Sequence, residues 1–194
     1  MVVVSKSKTS DKLLDTARRL FAKMGVENTT MSDIAVASEK GRRTIYTYFK
    51  SKEDIYLAVV ESELNVLLDT MKQVIDTEIS PDSKIVKIIY THLDVIKNVV
   101  ERNGTLRACF FRDIWNVEKV RKEFDTKEIQ FFKDILWEGQ KKGVFRIDDI
   151  DMTATLMHHC VKGIEVPYIR GRIGENLTKK PVKYITNIVG RAKK

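Results

Sequence analysis

Apolar residues recur at three- and four-residue steps along most of this chain, the signature of amphipathic helices. Leu13, Leu14, Ala17, Leu20, Phe21 and Met24 form the first stripe. Ser10 is the expected N-cap, and Gly25 stands where a left-handed C-terminal cap belongs. Thr30-Met-Ser-Asp33 has the spacing of a capping box and opens a second helix, with Met31, Ile34, Ala35 and Ser38 on one face. A break at Glu39-Lys40-Gly41 precedes a short third helix holding Thr44, Ile45, Tyr46, Tyr48 and Phe49. Ser51-Lys-Glu-Asp54 is another capping box. It starts a long helix to about Thr77, with Ile55, Ala58, Val59, Ser62, Val66 and Met71 on its inner side.

After Pro81 the same period returns in Ile85, Ile88, Ile89, His92, Leu93, Ile96 and Val99. Asn103-Gly104 breaks it. A shorter helix is expected over 105–115 and a long one over 117–141, which Gly143 stops. Residues 144–147 read as an extended connector. Asp148, Asp149 and Asp151 then place negative charge at the start of a helix that runs to about Arg170, where the helix dipole favours it. A kink is expected near Pro167, and a last helix over 179–192. With no repeat and no strand pairs, the fold class is all-α.

Three short helices ahead of a long fourth, with a tight break between the second and third, suit a helix-turn-helix. Ala35 is small where two helices cross, and Ile45 and Phe49 can anchor the third helix to the core. That leaves Arg42, Arg43, Thr44, Thr47 and Tyr48 on or near the opposite surface, a set able to meet guanine edges and phosphates. The plainer alternative is a helical hairpin with a solvated arginine pair.

Charge sharpens the choice. Of a formal net charge of +8, residues 1–52 supply +6, from eleven Lys and Arg against five Asp and Glu; residues 53–194 supply +2. A basic end beside a near-neutral body fits a polyanion-binding module. Composition is otherwise ordinary for 194 residues, at 43% hydrophobic and 32% charged, enough for one or two domains with a real core. The apolar run at residues 1–4 is too short for a signal peptide, and charges interrupt every longer apolar stretch, so no membrane partner and a cytoplasmic location are expected. Cys109 and Cys160 form no disulfide or metal framework and read as buried thiols.

The stretch Leu13–Val60 resembles the DNA-binding domain of TetR-family regulators. The matching residues are Ala17-Arg-Arg-Leu-Phe21, Gly25, Thr29-Thr30, Ile34-Ala35 and, above all, Thr44-Ile-Tyr-Thr-Tyr-Phe-Lys-Ser-Lys-Glu-Asp54. The resemblance covers about the first third of the chain. It implies a helix-turn-helix domain over 1–52 and a helical ligand-binding and dimerisation domain over 53–194. It also implies contact with a double-stranded, palindromic operator through Thr30, Lys40, Gly41, Arg42, Arg43, Thr44, Tyr46, Thr47, Tyr48 and Lys52, with Tyr46 on phosphate by resemblance alone. The family usually has Ala-Gly-Val-Ser in the turn, where this chain has Ser38-Glu-Lys-Gly41. Glu39 falls where the family's glycine is left-handed, so a reshaped turn with Gly41 in the special conformation is expected, with Lys40 toward solvent or phosphate.

Other constellations point less far. His158-His159-Cys160 lie about 100° apart around a helix and cannot easily share one ion, so no metal is expected. No phosphate loop, nucleophile set or cofactor motif is present, which makes a helical enzyme the weakest reading. His92, Phe110, Phe111, Trp115, Phe131 and Trp137 either line a pocket for a small apolar or aromatic effector, as the family implies, or simply fill a helical core. Regulation by a protein partner without a pocket is the other alternative. Met152, Leu156, His159, Gly163 and Val166, with Val182, Ile185, Ile188 and Val189, form two apolar faces that either build a homodimer interface or complete the monomer core.

Overall fold

A computed structural model describes residues 7–102 and 114–172, without the side chains of 102, 114–117 and 119. Among the described residues the chain forms seven helices and no strand. These are α1 (Lys8–Met24), α2 (Met31–Ala37), α3 (Arg42–Tyr48), α4 (Lys52–Thr77), α5 (Pro81–Arg102), α6 (Ile114–Lys141) and α7 (Ile150–Ile169). The all-α class therefore holds. The helix expected over 179–192 lies outside the described residues, as does most of 105–115. α6 runs through the break expected at residue 116.

Local chemistry explains the helix ends, with two departures. Ser7, not Ser10, caps α1: its Oγ accepts from the Ser10 amide at 3.1 Å, and Ser10 is itself buried one turn in. Gly25 ends α1 at φ 88° and ψ 155°, a positive φ but not the left-handed helical cap expected. The Thr30–Asp33 box forms fully: Asp33 N–H donates to Thr30 Oγ1 at 3.1 Å and Thr30 N–H to Asp33 Oδ2 at 2.8 Å. Ser51 and Asp54 do the same at the start of α4. Pro81 opens α5, where its missing N–H costs no helical bond. Asp149 caps α7 by accepting from the Met152 amide at 2.9 Å.

The chain divides into two compact units, Met1–Leu64 with Val99–Lys122, and Asn65–Asn98 with Glu123–Lys194. In the first, Leu13, Ala17 and Phe21 of α1, Ile34 of α2, Ile45 of α3 and Ile55 of α4 are all buried. Each of the Leu, Ile and Phe side chains contributes about 1.5–3 kcal/mol on leaving water. Phe21 meets Tyr56 edge to face at 6.3 Å between centroids, and Arg18 Nε reaches Glu63 of α4 at 2.8 Å.

In the second unit, Leu67 and Met71 of α4, Ile85, Ile88 and Leu93 of α5, Phe132 and Leu136 of α6, and Ala154 and Val161 of α7 are buried. Val66, expected on the inner side of α4, is exposed, because the buried face here follows Leu64, Leu67, Leu68 and Met71. Gly143 stops α6 at φ 68°. One turn earlier, Gly139 leaves room for Phe145: a Cβ there would lie 2.1 Å from the ring. Its carbonyl accepts from the Val144 amide at 2.8 Å, and so folds the connector back on the helix end.

Candidate nucleic-acid interface

The interface is assembled from the second and third helices. Ile34 and Ala35 bury one side of α2. The turn closes on its end: Ser38 N–H donates to Ile34 O at 2.9 Å, Ser38 Oγ to Ala35 O at 3.1 Å, and Lys40 N–H to Ala35 O at 3.0 Å. Between them Glu39 adopts φ +57°, while Gly41 has an ordinary φ of −65°. The reshaped turn expected from the sequence is thus not what forms. Glu39 takes the left-handed position itself, and its carboxylate receives Lys12 Nζ of α1 at 2.9 Å. The Lys12 hydrogen bond and charge, with a smaller effect of Lys40, hold this carboxyl below its usual range.

Gly41 then starts α3, its carbonyl accepting from the Thr44 and Ile45 amides. Ile45 and Phe49 are buried and pin the helix, as their spacing predicts. Gly41, Arg42, Arg43, Tyr46 and Thr47 are exposed, and Lys40, Thr44 and Tyr48 are half-buried. Other bonds engage three of these candidates: Thr47 Oγ1 donates to the Arg43 carbonyl at 3.1 Å, Tyr48 OH accepts from Ser7 Oγ at 3.3 Å, and Lys52 Nζ donates to the Glu27 carbonyl at 3.2 Å. Thr30 is exposed, with its hydroxyl inside the capping box. Sequence reasoning missed Ser7 and Lys12, which grip the end of α3 and the turn before it. The only signal was a second serine three residues ahead of Ser10.

The candidates in the second unit separate. His92 lies fully buried between Glu128 Oε1 of α6, 2.5 Å from Nδ1, and Glu165 Oε1 of α7, 2.9 Å from Nε2. The other Glu128 oxygen is 2.6 Å from His158 Nδ1, and Lys162 Nζ pairs with Asp125 at 2.7 Å. Burial pulls the His92 pKa down, but the Glu128 charge and the hydrogen bonds to Glu128 and Glu165 raise it to about 9. Burial opposes protonation of His158 as well, and the Asp125 carboxylate, 3.7 Å away, with the hydrogen-bonded Glu128 raises it to about 9. His92 is therefore a satisfied core histidine. The clue was polar residues inside apolar stripes, Glu128 between Phe124 and Phe132, and Glu165 one turn after Val161.

Phe131 is half-buried on a groove of about 350 Å³ between α4 and α6, which Leu68 and the polar residues Asn65, Asp69, Lys72, Lys127, Gln130 and Asp134 also line. Trp137 is 55% exposed, with Lys141 Nζ 3.6 Å above its ring, so it does not join His92 or Phe131. Phe110, Phe111 and the Trp115 side chain lie outside the described residues. On α7, Met152 and Leu156 are each 56% exposed, His159 and Gly163 are also exposed, and Val166 is half-buried. Val182, Ile185, Ile188 and Val189 lie outside the described residues. Cys160, expected to be buried, is exposed beside His159; Cys109 is outside. Among the described residues no group of three His, Cys, Asp or Glu could hold a metal ion, and no helix is long and apolar enough to cross a membrane.

Residues 13–59 match the family model described as bacterial regulatory proteins, tetR family. The chain is 30% identical over 148 residues to the HTH-type transcriptional repressor KstR2 of Mycolicibacterium smegmatis, covering 73% of this chain and 70% of that one. It is 23% identical over 193 residues to the probable acrEF/envCD operon repressor of Escherichia coli, covering 94% and 86%. Among solved structures, the fatty acid degradation regulator FadR from Bacillus halodurans shares the fold, with a TM-score of 0.71 at 18% identity over 96% of this chain and 97% of that one. The exposed cationic α3, anchored by Ile45 and Phe49, falls inside the matched segment. The chain belongs to the TetR family and is a DNA-binding transcriptional regulator, not an enzyme.

Proposed function

We propose that this protein is a homodimeric repressor that holds a palindromic operator through α3 and releases it when a small apolar or aromatic molecule binds the C-terminal region. In this reading residues 1–52 dock on DNA and 53–194 regulate and dimerise, in the cytoplasm where the chromosome is reached. The observation that carries it is the surface of α3: Arg42, Arg43, Tyr46 and Thr47 are exposed together on a helix whose opposite side is locked by Ile45 and Phe49. Arginine forks suit guanine edges, and hydroxyls suit phosphates. Repression is favoured by two relatives that carry that description.

Two-fold symmetry follows from the small reach of one seven-residue helix, since useful specificity needs two copies. The exposed stripe Met152–Leu156–His159–Gly163 on α7 supports a second copy as its cover. Release requires an effector that favours the non-binding state differentially. The groove between α4 and α6 offers such a molecule only Leu68 and Phe131 as apolar contacts, among six polar or charged lining residues. The test is a selected-oligonucleotide binding experiment followed by gel-shift titration. Arg42→Ala with Arg43→Ala should stay folded and lose operator affinity by about 1–3 kcal/mol per lost base contact. Unchanged affinity of the folded double variant refutes the assignment.

A further inference from the structure

Glu39 stands out in the turn before α3. Among the described residues it is the one non-glycine with positive φ. A glycine would adopt that backbone without strain, whereas a residue with a Cβ is penalised there. The bond to Lys12 does not offset the penalty, because both partners are exposed, and exposed ion pairs contribute little and are screened by salt. Stability therefore does not account for a glutamate at this position. Its charge does have a distinctive setting. It is the only acid between residues 34 and 52, among Lys40, Arg42, Arg43, Lys50 and Lys52.

We infer that Glu39 is a specificity-determining residue, whose carboxylate holds Lys12 of α1 and keeps that cation from phosphates of loosely docked DNA. The inference rests on the reading of α3 as the operator-binding helix. Non-specific binding is almost entirely a matter of phosphates neutralised, and any free ammonium near the docking face adds to it. On this inference the operator complex, whose register is set by base contacts, leaves Lys12 paired with Glu39 and off the phosphates. Holding Lys12 thus weakens random complexes more than the specific one and widens the ratio that matters when a chromosome offers many competing sites.

The experiment uses the full chain, a selected operator and a random duplex, each titrated across salt. Glu39→Gln removes the charge and leaves the backbone strain; Glu39→Gly removes both. Both variants should bind the random duplex about three- to tenfold more tightly at low salt, with the log–log salt slope steeper by about one per protomer, while operator affinity changes less than about twofold. Adding Lys12→Met to Glu39→Gln should return random binding to the wild-type value. The inference is overturned if random binding and slope do not move, if only the glycine variant moves, if the operator tightens or weakens equally, or if Lys12→Met restores nothing. A wild-type chain that selects no duplex refutes the underlying reading instead, so the two failures are separable.

Discussion

His92 Nδ1 and Glu128 Oε1 lie 2.5 Å apart, with both side chains fully buried. Glu165 Oε1 lies 2.9 Å from the second ring nitrogen, so a carboxyl group faces each nitrogen of the ring and an imidazolium can donate to both. With its pKa raised to about 9, the ring is the imidazolium at neutral pH. His158 supplies a second positive charge to the other Glu128 oxygen. Helices α5, α6 and α7 are thus joined by a cluster whose bonding depends on bound protons.

Stability should consequently fall in alkali. Both folded histidine pKa values, about 9, exceed the ordinary 6.5. The folded state then holds protons that the unfolded chain releases. This stabilisation is complete below pH 6.5 and is lost as pH rises through about 9. Asp125 behaves oppositely. Burial raises its pKa, but the nearby His158 ring and the hydrogen-bonded Lys162 ammonium bring it to about 2, below the ordinary 3.8. Its contribution is present above 3.8 and disappears as pH falls through about 2. Urea midpoints measured across pH should hold between these limits and drop on the alkaline side. A midpoint unchanged above about pH 9 contradicts charged imidazoles.

Glu128→Gln should be among the most damaging single changes in the second unit. It leaves two buried imidazoles without their shared counter-charge, and breaking one partner of a buried pair costs about 3–5 kcal/mol. The denaturation midpoint should fall accordingly. Histidine titration by NMR should show both ring pKa values lowered; a loss of stability with unmoved pKa values would point to packing alone.

Gly139→Ala should destabilise although alanine is the better helix former. The added methyl meets the Phe145 ring, and overpacking costs about 1–3 kcal/mol, more than the propensity gain. Pairing it with Phe145→Leu should recover part of the loss in thermal unfolding. A Gly139→Ala protein as stable as wild type contradicts this packing.

Gly163→Glu tests the second copy on α7. Nothing lies within 4 Å of a Cβ placed at Gly163, so the monomer should tolerate the change. In a symmetric interface two introduced carboxylates would face each other, and the variant should scatter light as a folded monomer that binds operator poorly. A wild type that is monomeric at micromolar concentration, or a variant that dimerises normally, removes this interface.

Much of this was legible from local pattern. The Thr30–Asp33 and Ser51–Asp54 boxes involve residues three apart, so spacing alone specifies them. The burial of Ile45 and Phe49, and hence the exposure of Arg42, Arg43 and Thr47, follows from one helical period. The all-α class and the cationic α3 were fixed by such short-range rules. Tertiary structure decided what depends on partners far along the chain. His92 reads as pocket or core until Glu128 and Glu165, 36 and 73 residues away, take both its nitrogens. Trp137 looks like a pocket wall until its side chain proves to be more than half exposed, with Lys141 over its ring. Glu39 keeps a left-handed backbone with Lys12, 27 residues earlier, on its carboxylate. Periodicity states which side of a helix is apolar; only packing of the helices against one another determines which polar groups meet inside and which apolar faces remain outside.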